Sequence, residues 1–106
     1  MKAIERLLWW LIAGSVGGIN RGRIINILKD RPYNANQLTE QLDLDYKTVR
    51  HHLEMLEKNG LIIPIGDGYG KMYGLSPLLE ENLPVFEEIW VRIGKKNKTG
   101  SGDMGG

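Results

Sequence analysis

Cysteine is absent from the 106 residues, and with it go disulfides, thiolate zinc sites and cysteine nucleophiles. Charge of either sign is nearly balanced: 14 Lys and Arg stand against 13 Asp and Glu, for a formal net charge of +1. The total therefore announces no polyanionic partner, and a basic patch has to arise from where the cations sit. Long apolar runs are missing too. The richest stretch, residues 7–13, is far shorter than the roughly 20 residues that span a bilayer. Lys2 and Arg6 at its start, with the small Ala13-Gly14-Ser15 at its end, have the outline of an export signal, but Glu5 interrupts the basic lead-in. The expectation is a cytoplasmic protein with no membrane partner. No Ser/His/Asp spacing and no carboxylate pair in an apolar setting occurs, so no enzyme is expected. No cofactor and no metal site are expected either.

What is present suits one compact core. The length is that of a single domain, and hydrophobic and charged shares of 42% and 25% are those of an ordinary globular chain. Ile4, Leu7, Leu8 and Leu11 share one helical face, while Trp9, Trp10 and Ile12 cover the other sides. A helix apolar nearly all round is buried on more than one face. Gly14, Gly17 and Gly18 end it. A second helix, capped near Asn20, turns Ile24, Ile25 and Leu28 inward and stops at Pro32.

Asn34, with Gln37 three residues on, has the spacing of a capping box for a short third helix whose buried stripe is Leu38 and Leu42. Asp43-Leu44 makes a tight connection. Asp45 caps a fourth helix over 46–59, which Asn59-Gly60 terminates. The period then changes. Residues 61–65 and 71–75 flank the glycine-rich turn 66–70 and read as a β-hairpin, with Pro64 suited to an edge strand. Ser76-Pro77 opens further helix, restarted or kinked at Pro84, with Phe86, Ile89, Trp90 and Ile93 on one face. Lys-, Gly- and Ser-rich sequence over 95–106 reads as a disordered tail. The turn 66–70 is no phosphate loop, because neither Gly-Lys-Ser/Thr nor a helix follows it.

The order helix, helix, tight turn, helix, hairpin is the informative one, since it presents the last helix outward at a width that fits a major groove. At about 100° per residue, Val49, Leu53 and Leu56 cluster within about 60°. Lys47, Thr48, His51, Met55 and Lys58 fall opposite, with Arg50 and Glu54 to one side. That outer face is cationic and rich in hydrogen-bonding groups despite the small net charge. Arg50 suits guanine or a phosphate, Lys47 and Thr48 suit phosphates or base edges near the helix N-terminus, and His51 can donate or accept. Tyr46 reaches sugar or phosphate. Met55 is expected to pack against a neighbouring helix. Tyr69 and Lys71 on the hairpin turn are candidates for minor-groove edges or phosphates. Arg21 and Arg23, near a helix start where the dipole disfavours cations, are candidates for backbone phosphates. His51 and His52 are adjacent and cannot jointly face one ion, and His52 belongs on the packing side.

The run from Asp45 to Ile62, Asp-Tyr-Lys-Thr-Val-Arg-His-His-Leu-Glu-Met-Leu-Glu-Lys-Asn-Gly-Leu-Ile, resembles the Thr-Val-x-x-His-Leu-x-x-Leu-x-x-x-Gly-Leu signature of ArsR-like winged-helix regulators. Residues 32–38 and the Gly-Asp-x-Tyr-Gly turn also resemble a group of small archaeal regulators. The likeness covers about residues 17–90. It implies a mainly α, winged helix-turn-helix fold with a small β-hairpin, and a homodimeric protein that binds double-stranded DNA to regulate transcription. The DNA-facing residues it implies are Tyr46, Lys47, Thr48, Arg50 and His51, with Tyr69 and Lys71 on the wing. The chain departs from the pattern at Asp43, where glycine is usual and aspartate still tolerates the left-handed conformation. It also lacks the cysteine or Asp/His clusters of metal-sensing relatives.

These readings define one winged-helix domain over 1–94. It comprises an N-terminal dimerisation helix (1–16), a three-helix DNA-binding core (18–60), the wing (61–75) and C-terminal helices (76–94). Each terminal helix carries more apolar surface than the core and hairpin can cover. Leu8, Trp9, Leu11, Ile12, Phe86, Ile89, Trp90 and Ile93 are therefore the expected dimer interface. A second reading, a winged-helix module for protein–protein contact inside a larger complex, stays open. The residues do not indicate whether an effector ligand exists.

Overall fold

The computed structural model describes residues 2–66 and 70–97. Their elements run α1 (Ala3–Leu8), continued by a π-helical turn (Trp9–Ala13), then α2 (Gly18–Leu28), α3 (Ala35–Leu42), α4 (Tyr46–Lys58), β1 (Ile62–Ile65), β2 (Met72–Leu75), α5 (Pro77–Glu81) and α6 (Leu83–Asn97). Mainly helical, with one two-stranded antiparallel hairpin, this is a winged helix-turn-helix. No helix among the described residues is long and apolar enough to cross a membrane.

The first helix is not uniform. The Gly14 amide reaches the carbonyls of both Trp9 and Trp10, and the widened coil turns Leu11 and Ile12, successive residues, into the core together. Gly17 enters α2 with φ of 84°, a conformation that favours glycine. Helix α2 thus starts at Gly18 rather than near Asn20. The reason is contact: a Cβ on Gly18 would lie 2.0 Å from the Ile12 carbonyl oxygen, so only glycine lets the two segments approach there.

Local signals decide the next elements. Asn34 Oδ1 accepts from the Gln37 amide at 2.7 Å while Gln37 Oε1 accepts from the Asn34 amide at 2.9 Å, a complete capping box. Asp43, left-handed at φ 56° and ψ 47°, closes the turn into α4. At the far end of α4, the Leu61 amide donates to Leu56 O and the Gly60 amide to Glu57 O, with Gly60 at φ 76°. These are the two bonds of a Schellman motif, and Leu56 and Leu61 supply its apolar contact. In the hairpin, Ile62 pairs with Leu75 and Ile65 with Met72, and Pro64 sits in β1, which has no second neighbour among the described residues. Tyr33 bridges to Tyr73 through two backbone bonds, so the α2–α3 loop borders β2 on its other side. Ser76 caps α5 by accepting from the Leu79 amide. Helix α6 continues through Asn97, past residue 95 where the tail was expected to begin; the rest of that expected tail, 98–106, lies outside the described residues.

One core holds all of this. Leu8, Leu11 and Ile12 from the N-terminal segment, Ile24, Ile25 and Leu28 from α2, and Phe86 and Ile89 from α6 are buried together. That corrects the interface expected at Leu8, Leu11, Ile12, Phe86 and Ile89. Those side chains are consumed within the monomer because the two terminal segments pack on each other and on α2. Trp9, Trp90 and Ile93 are half-buried against the same core, and Trp90 covers Gly22, where a Cβ would lie 2.3 Å from its ring.

Candidate nucleic-acid interface

Helix α4 is held at its start by Asp45, whose carboxylate accepts from the Thr48 amide at 2.6 Å. That backbone bond is the main reason the Asp45 carboxyl stays below its ordinary range. Val49, Leu53 and Leu56 are fully buried, as their spacing predicts. Tyr46, Lys47 and His51 are exposed and Thr48 is partly so. Met55 packs on the core, which explains its presence among polar neighbours. The outward face of the first two turns therefore carries the side chains expected there.

Arg50 leaves that face for the side of the helix. Its Nη1 donates to the Tyr73 hydroxyl on β2 at 2.6 Å, and Nη2 lies 3.7 Å from Glu54 Oε2. The Tyr73 bond raises the guanidinium pKa further above its usual value. Lys71 projects over the Tyr73 ring, with its ammonium 5.4 Å from the centroid. Asn34 and Asn36 at the head of α3, Tyr46 and Arg50 on α4, and Lys71 and Tyr73 on the hairpin line a shallow concavity of about 210 Å³. Helix α4 and the hairpin thus share a polar junction. Tyr73 and the two asparagines are the members that spacing alone does not single out. In the sequence Asn34 stands only as a cap, Asn36 as a residue of the first helical turn and Tyr73 as a strand residue. The expected wing residue Tyr69 lies outside the described residues.

The two α2 arginines are elsewhere. Arg21 is 2% exposed. Its Nε donates to Leu11 O at 3.0 Å, Nη2 to Ser15 Oγ at 2.5 Å and to Val16 O at 3.0 Å, and Nη1 faces His52 Nδ1 at 3.3 Å. The expected phosphate contact from Arg21 is therefore corrected: its position, one full turn inside the tight Gly17–Gly18 entry, points it into the protein. Burial lowers its pKa. Arg23 donates to Asn20 Oδ1 and to the Leu42 carbonyl at 3.1 Å, tying the end of α3 to α2. His52 is 5% exposed and on the packing side, and burial, followed by the charges of Arg21 and His51, holds its pKa below the ordinary histidine value. Among the described residues no three His, Cys, Asp or Glu side chains gather where they could hold a metal ion.

Residues 20–63 match the model of the arsR family of bacterial regulatory proteins. Solved structures share the fold at low identity. HlyU from Vibrio cholerae in its reduced form is 19% identical with a TM-score of 0.60, over 84% of this chain and 85% of that one. The PcaV transcriptional regulator from Streptomyces coelicolor in complex with its natural ligand is 22% identical with a TM-score of 0.70, over 92% and 70% of the two chains. The transcriptional regulator BldR from Sulfolobus solfataricus is 12% identical with a TM-score of 0.68, over 91% and 72%. No curated protein sequence matches.

Proposed function

We propose that this chain is a homodimeric transcriptional regulator, of the small archaeal type its sequence resembles, that binds double-stranded DNA in a sequence-specific way. Helix α4 enters the major groove with Lys47, Thr48 and His51 toward base edges and phosphates. Tyr46, Arg50 and Lys71 meet the backbone where helix and wing join. The observation that carries the reading is the continuity of that surface: an exposed, cationic, hydrogen-bonding helix face runs into the polar junction beneath the hairpin. The arsR-type match over 20–63 supports it, and no catalytic step forms part of it.

The dimer face is what the monomer core leaves over. Trp9, Trp90 and Ile93 are half-buried, and Trp10, 52% exposed, stands with Val91 outside the core. The groove between the N-terminal helix and α6 includes Trp9, Trp10 and Val85, with Glu5, Arg6, Glu88 and Arg92 supplying both signs of charge. A two-fold axis matches such a surface to itself and sets the two α4 helices about one DNA turn, roughly 34 Å, apart.

Selection of genomic fragments on the purified protein, followed by duplex titration over a salt series, tests the reading. One enriched, near-palindromic sequence is expected. Lys47→Ala with His51→Ala, both at exposed positions, should weaken binding by about 1–3 kcal/mol per lost base contact and flatten the salt slope by about 1 per lost phosphate contact. Unchanged affinity and slope would overturn the assignment of α4. No enriched duplex, together with a stable heteromeric partner, would favour the protein–protein reading instead.

A further inference from the structure

Two basic side chains meet inside the protein with no carboxylate between them. Three acceptors of the Arg21 guanidinium come from residues 11–16: Leu11 O in the π-helical turn, and Ser15 Oγ and Val16 O in the connection to α2. The fourth is His52 on α4. A guanidinium only donates, so His52 Nδ1 must accept and the ring proton sits on Nε2. Among the described residues, Arg21 from α2 and His51 from α4, whose ring centroid is 5.4 Å away, are the groups whose charge acts on the imidazole. The connecting loop brings Gly17 against it, where a Cβ would lie 2.7 Å from Cε1, together with the Ser15 hydroxyl and the Val16 carbonyl on Arg21. The ion pairs among the described residues include neither Arg21 nor His52.

We propose that Arg21 and His52 are positioning residues that tie α4 to residues 11–17 while the imidazole is neutral, and that a proton on His52 releases the tie and weakens duplex binding. A second ring proton turns Nδ1 into a donor facing the Nη1 donor. The bond is then lost, and two positive charges stand face to face in a buried site. No carboxylate among the described residues pairs with either of them. Either α4 shifts or Arg21 lets go of the 11–17 segment, and both move the reading face relative to the terminal helices that would form the dimer. Burial and the Arg21 charge place this transition on the acid side of the ordinary histidine value.

The DNA arm of this proposal rests on the reading of α4 above, so the test has an arm that needs no DNA. Amide and imidazole resonances of the full chain are followed from pH 7.5 to 5 for the wild type and for His52→Gln, whose amide oxygen can still accept from Arg21 but cannot titrate. In the wild type the amides of residues 11–17 and of α4 should shift with the midpoint of the His52 ring. In His52→Gln those shifts should vanish. Between pH 7.5 and 5, duplex affinity should fall about tenfold for the wild type relative to the variant, within the ordinary range of coupling between two sites. Wild-type amides in 11–17 that ignore the His52 titration would overturn the tie, with or without a foldable variant. Shifts that persist in His52→Gln would overturn it too. Amide shifts that behave as expected in a protein that binds no duplex at any pH would retain the tie and remove the DNA reading.

Discussion

Replacing a helical glycine by alanine should shift stability in opposite directions at Gly22 and Gly94, and the contrast tests how α2 meets α6. Both lie inside helices, α2 and α6 respectively, where alanine is favoured over glycine by about 1 kcal/mol. Around Gly94 a Cβ meets nothing within 4 Å, so Gly94→Ala should keep up to about 1 kcal/mol of that gain. At Gly22 the added carbon would stand 2.3 Å from Trp90 Cζ3 and 2.7 Å from Cε3. An ordinary carbon–carbon contact is about 3.5 Å, which leaves a shortfall of about 1.2 Å. The ring cannot swing away freely, because Trp90 stacks on Phe86 at 5.9 Å and 17° and Phe86 is fully buried. Overpacking of this kind costs roughly 1–3 kcal/mol. Set against the helix gain, the net loss is about 1 kcal/mol, or a fall in melting temperature of roughly 4–8 °C for a domain of this size. Thermal unfolding followed by far-ultraviolet circular dichroism reads both variants, and Trp90→Leu should restore part of the loss in Gly22→Ala. A Gly22→Ala protein as stable as the wild type would refute this contact between α2 and α6.

Three further outcomes follow from single contacts. Asn34→Ala removes the acceptor for the Gln37 amide and should cost about 1 kcal/mol, seen as a lower urea midpoint at unchanged slope; an unmoved midpoint would show that the box does not hold α3. Tyr73→Phe deletes the hydroxyl that binds Arg50. Because Arg50 stays partly exposed, the expected loss is about 1 kcal/mol, below the range for fully buried charge-assisted bonds, and equal stability would remove the latch between α4 and the wing. His52 sets an acid limb. Its folded-state pKa lies below the unfolded reference of 6.5, so the unfolded chain takes up the proton first. Stability is fully present above about pH 6.5, declines as pH falls toward the folded-state value and then levels off. His52→Gln should lack that limb in urea titrations repeated across pH, and an identical limb in the variant would assign it to another group.

Much of α3 and α4 is legible in the sequence. Asn34 with Gln37, Asp45 with Thr48, and Gly60 after Asn59 act over three to five residues, and their hydrogen bonds form as soon as the chain takes the local conformation. The inward set Val49, Leu53 and Leu56, and with it the outward Lys47 and His51, follows from helical period alone. Tyr73 and Arg50 are 23 residues apart, and no local spacing encodes their meeting.

The sequence by itself therefore determined the order of elements, the caps of α3 and α4, the inner and outer faces of α4 and the departure of Asp43 into the left-handed region. Tertiary structure alone decided what each apolar or cationic surface faces. Leu8, Leu11, Ile12, Phe86 and Ile89 form the same stripes whether a second copy or the chain's own opposite end covers them, and here the chain covers them itself. Arg21 looks in sequence like any basic residue near a helix start, yet its partners lie up to 31 residues away. Periodicity reports that a surface must be covered or a charge satisfied. The identity of the covering group is set by packing across the whole chain, after distant segments close on each other.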